Sequence, residues 1–256
     1  MEKIIRSVPR ILAIDIGNTA ITCGLFRKDR LVRRFCVPTR SADYFKALKK
    51  GIGKAAPEAA IVSSVVPKAT TRIWMALRFL KATDIRILGK NCRVPIVNRY
   101  QHPKQVGQDR LVNAFAAVRL YGTPAIVIDF GTAISFDIVS GKGEYLGGMI
   151  LPGLETSLLA LNEKAALLPA ISLGKPPGSL IGRTTRDNML SGVIFGFSRL
   201  TDGLIKDLKA KLGPSCKTIG TGGTISFISP YCKNIKTIDP NLTLKGLQLI
   251  YAGLTR

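Results

Sequence analysis

Two stretches of the chain share one pattern of hydrophobic and polar residues. Residues 11–26 read ILAIDIGNTAITCGLF, and residues 125–139 read AIVIDFGTAISFDIV. In each stretch an apolar run ends in Asp-x-Gly, and a second apolar run follows a few small residues. This pattern predicts a β-strand, a tight turn containing glycine and an antiparallel return strand. Because the pattern occurs twice, we expect two duplicated halves, 10–122 and 123–256.

Between these hairpins, short apolar runs alternate with segments of helical periodicity. A buried strand is expected within 58–66. A helix is expected at 41–52, with Ser41 as its N-cap and Gly53 near its end. Further helices are predicted at 67–80, 108–121, 152–168, 184–212 and 244–254, and a further strand near residue 218. Strands that alternate with helices predict an α/β fold in which helices cover the sheets.

Composition narrows the class of protein. The 256 residues, 46% of them hydrophobic, suffice for one large domain or two small domains that share a cleft. No apolar run approaches the ~20 residues of a membrane-spanning helix, and the N-terminal residues do not read as a cleaved signal peptide. The five cysteines include no Cys-x-x-Cys pair, which indicates reduced thiols. We therefore predict a cytoplasmic protein that is not bound to a membrane.

The charge of the chain is strongly positive. Lys and Arg number 38 against 16 Asp and Glu, which gives a net charge of +22. Such an excess attracts anionic ligands such as ATP, and it is also typical of nucleic-acid-binding proteins. The basic residues do not form long runs, and stacking aromatic residues are not interleaved with them. Nucleic acid is therefore not the expected partner, and a basic regulatory protein stays open as an alternative.

The first hairpin carries groups suited to binding phosphate. Gly17 permits a close approach of the backbone, and Asn18 and Thr19 add side-chain donors. Asp15, at the end of the strand, is placed to hold a cation or its waters. A single copy could be a plain turn, but the second copy at 129–133 favours two hairpins that face each other across a nucleotide cleft. The chain lacks a Walker-type Gly-x-x-x-x-Gly-Lys-Ser/Thr motif, which excludes a P-loop enzyme.

An acid and a base stand together where the helix at 108–121 begins. Asp109 can accept a hydroxyl proton, and Arg110 can bind a carboxylate. The alternative is that Asp109 only caps the helix and Arg110 lies on the surface. The single histidine, His102, lies in a loop that contains proline and is a weaker candidate base than Asp109.

Three glycine-rich segments also carry two interpretations. The segment 220–223 reads Gly-Thr-Gly-Gly, follows a predicted strand and precedes a helix. Its glycines could lie against a nucleotide or could form a structural turn. The segments Gly147-Gly148 and Pro152-Gly153 are either a wall of a ligand site or places of close backbone packing.

Taken in order, these motifs resemble the type III pantothenate kinases. The family's motifs stand here as Asp-Ile-Gly-Asn-Thr at 15–19, Gly-Gln-Asp-Arg at 107–110 with Asn-Ala at 113–114, Asp-Phe-Gly-Thr-Ala at 129–133, Tyr-Leu-Gly-Gly to Pro-Gly at 145–153 and Thr-Gly-Gly at 221–223. Each motif is modestly specific, whereas their ordered set is highly specific. The resemblance extends from about residue 11 to residue 251.

The resemblance implies a duplicated, actin-like (ribonuclease H-like) ATPase fold with two similar halves around the nucleotide cleft. It implies a homodimer that phosphorylates pantothenate with ATP, using Mg²⁺ and a monovalent cation, K⁺ or NH₄⁺, in the first step of coenzyme A biosynthesis. Asp109 is then the catalytic base, and Asp129 helps to hold the monovalent cation. The implied ATP-binding residues are Asp15, Ile16, Gly17, Asn18, Thr19, Ala20, Ile21, Thr22 and Thr132. The implied pantothenate-binding residues are Tyr100, Gly107, Gln108, Asp109, Arg110 and Thr184.

Two positions depart from the family's pattern. Ala20 stands where a polar residue is frequent, and Ile134 stands where a threonine is frequent. Either change could remove a hydroxyl group near the ATP phosphates. This would alter the affinity for ATP rather than the class of reaction. A sugar kinase or a phosphatase of the same fold is the alternative enzyme, but it would need a substrate loop unlike Gly-x-Asp-Arg.

Overall fold

The computed structural model describes residues 10–174 and 177–255. The N-terminal residues before Arg10 lie outside these ranges. The strands are β1 (Arg10–Ile16), β2 (Ala20–Arg27), β3 (Arg30–Pro38), β4 (Ala59–Ser64), β5 (Asp84–Ile87), β6 (Ala125–Phe130), β7 (Ala133–Val139), β8 (Tyr145–Pro152), β9 (Lys217–Thr221) and β10 (Thr237–Ile238). The helices are α1 (Tyr44–Ile52), α2 (Pro67–Phe79), α3 (Gln108–Tyr121), α4 (Leu154–Lys164), α5 (Thr185–Leu212), α6 (Ile225–Ile228) and α7 (Leu242–Leu254).

The first compact unit is built on a five-stranded sheet with the order β3-β2-β1-β4-β5. β1 pairs antiparallel with β2 and parallel with β4, and β4 pairs parallel with β5. The carboxyl ends of β1, β4 and β5 therefore lie at one edge of the sheet. In the described chain this unit comprises residues up to 95, 105–116 and 243–255.

The strands of this unit place alternate residues on opposite faces of the sheet. Even-numbered residues of β1 and β4 form a buried core with Leu48 of α1 and with Ile73 and Leu77 of α2. The odd-numbered residues point the other way. On that side, a methyl group at Gly24 of β2 would lie 3.0 Å from Leu244 of α7, so glycine lets this helix lie directly against the sheet.

The second unit repeats this plan. Its sheet has the order β10-β9-β6-β7-β8, in which β6 pairs antiparallel with β7 and parallel with β9. Its core joins apolar residues of β6 and β7 to Leu154 of α4 and to Leu190 and Ile205 of α5. The prediction of an α/β fold with two similar halves is confirmed.

The two compact units do not have the same residue limits as the two predicted halves. The last helix, from residue 243, belongs to the first unit, and residues 96–104 and 117–122 belong to the second. The predicted limits of the duplication, 10–122 and 123–256, stay a prediction about the origin of the two halves.

Several element bounds differ from the predicted ones. α1 begins at Tyr44, because the Asp43 side chain, rather than Ser41, accepts a hydrogen bond from the backbone N–H of Lys46 (2.9 Å). α4 spans only 154–164, since Pro152 and Gly153 belong to β8 and to the cap of the helix. β5, β8 and β10 were not predicted; β8 returns along its antiparallel neighbour β7.

Two glycines of α7 provide a test of how closely this helix packs. A methyl group at Gly246 would lie 2.8 Å from Cγ1 of Val112 and 3.0 Å from Cβ of Ala116, whereas one at Gly253 would meet no described heavy atom within 4 Å. We expect Gly246→Ala to lower the free energy of unfolding by about 1–3 kcal/mol, because it overpacks the contact with α3. The matched variant Gly253→Ala should leave it unchanged or raise it by about 0.5–1 kcal/mol. Denaturant titrations of both variants measure the difference; equal effects would contradict the close packing of α7 on α3.

Candidate functional site

The first hairpin has the geometry expected of a phosphate-binding turn. The backbone N–H of Gly17 donates to the carbonyl of Ala20 (3.1 Å), which closes the turn between β1 and β2. The hydroxyl of Thr39 donates to the carbonyl of Gly17 (2.7 Å), and the backbone N–H of Thr39 donates to the carbonyl of Thr19 (3.1 Å). These bonds fix the turn from the side of β3, while residues 18–20 at its tip stay exposed. A turn held in this way keeps its backbone donors in one arrangement.

Asp15 stands one residue before the end of β1. In the register of the sheet it pairs with Thr22 of β2 and with Ser63 of β4. Residues paired in this way project from the same face. That face is opposite the core with α1 and α2, because the core uses the even-numbered residues of β1 and β4. The carboxylate of Asp15 therefore has a hydroxyl residue on each side.

Asp109 lies at the same edge of the first unit's sheet. Gly89, two residues beyond the end of β5, approaches the residue before Asp109: a methyl group at Gly89 would lie 3.6 Å from the carboxamide carbon of Gln108. The carboxyl ends of β1 and β5 share an edge, so the start of α3 and the first hairpin are brought to one edge of one sheet. The chain between them exceeds 80 residues, and only the fold brings them together.

Burial decides the acidity of Asp109. The side chain is half-buried, and a methyl group at Gly107 would overlap its Oδ1 atom, so a larger residue there would displace the carboxyl group. Burial raises the pKa of Asp109, while the backbone N–H of Arg110 (2.9 Å from Oδ1) and the positive charge of Arg110 oppose the shift. Desolvation is the larger of these effects. A carboxylate with a raised pKa is a stronger base than an exposed one.

The second hairpin, in the second unit, is formed by β6 and β7. The backbone N–H of Gly131 donates to the carbonyl of Ala133 (3.1 Å), and Thr132 at the tip is exposed. Thr132 is fixed from behind, because the hydroxyl of Thr156 (2.6 Å) and the backbone N–H of Gly153 (3.0 Å) both donate to its carbonyl. A methyl group at Gly153 would overlap this carbonyl. The segment Pro152-Gly153 is therefore a place of close backbone packing against the hairpin.

The glycine segment 220–223 lies against the same hairpin. Gly222 has a positive φ of 102°, and a methyl group there would lie 2.5 Å from Oδ1 of Asp129 and from the backbone nitrogen of Phe130. The hydroxyl of Thr224 donates to the carbonyl of Phe130 (2.9 Å). The helix that follows, α6, has only four residues. The structure therefore favours the interpretation of this segment as a tight turn that leaves room for the Asp129 carboxylate.

Asp129 has the same kind of neighbours in its sheet as Asp15 has in the first. It pairs with Ser135 of β7 and with Thr221 of β9, so a hydroxyl residue again stands on each side of the carboxylate. Ser135 in turn donates to Oδ2 of Asp137 (3.2 Å), which is wholly buried. These oxygen atoms are chemically suited to a cation without a strong geometric demand.

The predicted pantothenate residues are distributed over the two units. The segment 107–110 belongs to the first unit, whereas Tyr100 and Thr184 belong to the second. The ring of Tyr100 lies beside Gly147, where a methyl group would be 3.3 Å from Cδ2. Thr184 is the N-cap of α5: its hydroxyl oxygen accepts from the backbone N–H of Asp187 (3.1 Å), and its own hydrogen is left for donation.

Of the four hydroxyl residues beside the two aspartates, the motifs included Thr22 and Thr221 but not Ser63 and Ser135. Ser63 and Ser135 stand on strands that read only as apolar runs. The signal that could have found them is their position at the strand ends, where parallel neighbours bring side chains to one edge.

Among residues 10–174 and 177–255, no group of three His, Cys, Asp or Glu side chains is placed to hold a metal ion on its own. Magnesium in a kinase takes most of its ligands from water and substrate phosphates, so Asp15 alone could serve it.

The chain is similar to proteins of one enzyme family along almost its whole length. A family model described as type III pantothenate kinase matches residues 11–207. A protein of Symbiobacterium thermophilum named type III pantothenate kinase 2 is 39% identical over 254 residues, which cover 94% of this chain and 96% of that protein.

Solved structures share the fold. A Campylobacter jejuni protein described as a Baf family transcriptional activator superposes with a TM-score of 0.61 at 21% identity, covering 95% of this chain and 98% of that one. A ROK family glucokinase of Streptomyces griseus, crystallised with glucose and AMPPNP, superposes with a TM-score of 0.51 at 15% identity, covering 95% and 100%. The duplicated α/β fold is thus shared with sugar kinases of the ROK family. No helix of the described segments is both long and apolar enough to span a bilayer.

The raised pKa of Asp109 predicts a stability effect that depends on pH. Because the folded state favours the protonated carboxyl group, the stabilising contribution of Asp109 is complete below its unfolded pKa and is lost as the pH rises through its folded pKa. Asp109→Asn should therefore unfold at a higher temperature than the wild type near neutral pH. The difference should shrink as the pH falls to about 4, near the usual pKa of the carboxyl group.

Thermal unfolding of both proteins between about pH 8 and about pH 4 tests this expectation. Asp43→Asn, which removes an exposed carboxylate at the start of α1, controls for the loss of a negative charge from a basic protein. A lower unfolding temperature of Asp109→Asn at neutral pH, or a difference independent of pH, would show that burial does not govern this group.

Proposed function

The chain belongs to the type III pantothenate kinase family, and from that membership we propose how its residues divide the work of the reaction. The enzyme phosphorylates pantothenate in coenzyme A biosynthesis. The observation that carries our assignment of residues is that the first hairpin and the start of α3, which holds Asp109, lie at one edge of one sheet. A phosphate-binding turn and a half-buried base are the two parts that a kinase must hold close together.

The ATP phosphates are bound by the first hairpin in this proposal. Residues 15–22 supply the backbone donors of a rigid turn and the side chains of Asn18 and Thr19. Thr132, exposed at the tip of the second hairpin, supplies a further contact with ATP. Ala20 is exposed at the tip and contributes no hydroxyl, whereas Ile134 is wholly buried in the core of the second unit. Only Ala20 therefore bears on the affinity for phosphate.

Asp109 acts as the base that accepts the proton. The oxygen of pantothenate's primary hydroxyl attacks the γ-phosphorus of ATP, and its proton passes to the Asp109 carboxylate. The bond from the γ-phosphorus to the bridging oxygen breaks, and ADP leaves with that electron pair. The raised pKa of Asp109 supports this role, because a base matched more closely to the working pH takes the proton more readily.

The remaining substrate contacts belong to three side chains. The guanidinium of Arg110 binds the pantothenate carboxylate through charge-assisted hydrogen bonds. Thr184 has a hydroxyl hydrogen to donate to the substrate, since its oxygen serves as the cap of α5. Tyr100, which is 36% exposed, offers its ring and its hydroxyl to the substrate. Gly107 and Gln108 shape the start of α3 around the carboxyl group of Asp109.

Two cations complete the proposed site. Bound Mg²⁺ neutralises charge on the ATP phosphates, and Asp15 is the residue that holds it or its waters. A monovalent cation, K⁺ or NH₄⁺, is held with the help of Asp129 among the oxygen atoms of its neighbours Ser135 and Thr221. The strand register that brings these two hydroxyl residues to the Asp129 carboxylate supports this assignment.

We also propose that the enzyme is a cytoplasmic homodimer. The five cysteines are all free thiols, which supports a reducing compartment. The second unit exposes large apolar side chains, including Ile150 (65%), Leu180 (69%) and Ile181 (77%), and these support a contact with a second copy. Nucleic acid is not a proposed partner; the positive charge serves to attract the anionic substrates.

Kinetic constants of two variants separate the roles at the start of α3. Asp109→Asn keeps the shape of the side chain but removes the proton acceptor, so kcat should fall by about 10²- to 10⁴-fold with little change in ATP binding. Arg110→Ala should instead raise the KM for pantothenate more than it lowers kcat. Asp43→Asn serves as the matched control and should keep both constants. Near-wild-type kcat in Asp109→Asn would refute the assignment of the base.

The proposed monovalent site predicts a dependence on the salt present. Activity should fall strongly when K⁺ is replaced by Na⁺ at equal ionic strength, and it should recover with NH₄⁺, because the Asp129 carboxylate needs a cation to offset its repulsion of phosphate. Steady-state rates in the three chloride salts measure this. Asp129→Asn should lose most of the difference between the salts. Equal rates of the wild type in all three salts would remove this role for Asp129.

A further inference from the structure

Two hydroxyl groups are buried without a hydrogen-bond partner in the described part of the chain: Oγ of Ser63 and Oγ1 of Thr201. Both residues are wholly buried, and such groups destabilise a protein unless something pairs with them. Thr201 lies within α5. Ser63 lies one residue before the end of β4, at the edge of the sheet that carries the first hairpin. The position of Ser63 therefore calls for an explanation in terms of the site.

The adjacent residue, Ser64, shows what a purely structural serine does here. Its oxygen accepts from the backbone N–H of Val66 (3.0 Å) and from the hydroxyl of Thr70 (2.6 Å), so it ties the end of β4 to the start of α2. Ser64 projects toward the core with α1 and α2, whereas Ser63 projects to the opposite face of the sheet. The two neighbouring serines therefore have different surroundings, and the structural role of Ser64 does not account for Ser63.

Strand register places Ser63 beside Asp15. The two residues are paired in the parallel ladder of β1 and β4. Neighbouring strands lie about 4.8 Å apart, and paired side chains share a face, so a serine hydroxyl can reach a carboxylate at this position. The second unit repeats the arrangement, because Thr221 of β9 is paired in the same way with Asp129 of β6. A hydroxyl residue thus stands at the equivalent position beside the aspartate of each hairpin.

We propose that Ser63 is a positioning residue for Asp15. When MgATP binds, the hydroxyl of Ser63 donates to one oxygen of the Asp15 carboxylate, which holds the other oxygen toward the cation and its waters. The buried hydroxyl then gains its partner only in the nucleotide-bound enzyme, and its pairing adds to the affinity for MgATP. This inference rests on the proposed role of Asp15 in the ATP-binding hairpin.

Ser63→Ala should have opposite effects on the ligand-free protein and on nucleotide binding. Without nucleotide it should unfold at the same temperature as the wild type or a higher one, because it removes an unpaired buried hydroxyl. The affinity for MgATP should fall by about tenfold or more, the effect expected from losing a hydrogen bond to a charged group. At a MgATP concentration that saturates the wild type, the rise in unfolding temperature should therefore be smaller in the variant than in the wild type. Calorimetric titration with MgATP, without pantothenate, measures the affinity directly.

Kinetics give a second signature. The KM for ATP and the Mg²⁺ concentration that gives half-maximal rate should both rise in Ser63→Ala, while the KM for pantothenate should stay the same. Ser63→Thr, which keeps the hydroxyl, should restore most of the affinity for MgATP. If the added methyl group of Thr prevents folding, Ser63→Cys keeps the size of the side chain with a weaker donor and should bind MgATP with intermediate affinity.

Two matched controls separate this role from a structural one. Thr201→Val removes the other unpaired hydroxyl and should leave MgATP binding unchanged. Ser64→Ala breaks the bonds at the start of α2 and should lower the unfolding temperature without altering the affinity for MgATP.

These experiments distinguish a failure of the positioning role of Ser63 from a failure of the proposed role of Asp15. If Ser63→Ala binds MgATP as the wild type does, as Thr201→Val should, the positioning role is wrong even when the wild type phosphorylates pantothenate. If Asp15→Ala leaves MgATP binding intact, the proposed role of Asp15 itself fails. If Ser63→Ala binds MgATP more weakly and Ser63→Thr binds it just as weakly, the effect comes from packing, and the positioning role is also refuted.

Discussion

The register of β1 between β2 and β4 is the constraint on which the chemistry of the first unit depends. A strand shifted by one residue would turn Asp15 into the apolar core and bring Ile14 or Ile16 to the opposite face. The apolar even-numbered residues prevent this, because their burial against α1 and α2 stabilises one register only. The same packing that stabilises the unit therefore holds the carboxylate at the edge where a phosphate can reach it.

Glycine residues set the second constraint, which is how closely the backbone approaches each carboxylate. Gly107 leaves space for the carboxyl group of Asp109, and Gly222 leaves space for that of Asp129. Any larger residue would displace the acid or move the turn. Burial, rather than the adjacent Arg110, sets the direction of the pKa shift of Asp109.

The two units repeat the local arrangement but not its surroundings. In both, an aspartate near the end of a strand lies between a hydroxyl residue on the return strand and one on the parallel neighbour. Only the second unit adds a further buried acid, Asp137, on the same face. The shared part fits the handling of phosphate by both hairpins, and the added acid fits the assignment of a monovalent cation to the second unit alone.

The sequence by itself determined the α/β class, the duplicated hairpins, the helix at 108–121 and the candidate residues of each motif. It could do so because local periodicity, turn glycines and motif order are properties of neighbouring residues. Only the tertiary structure decided that Asp43 rather than Ser41 caps α1, and that burial outweighs Arg110 at Asp109. It also decided that Ser63 stands beside Asp15, since strand pairing joins residues far apart in the chain and local pattern carries no record of it.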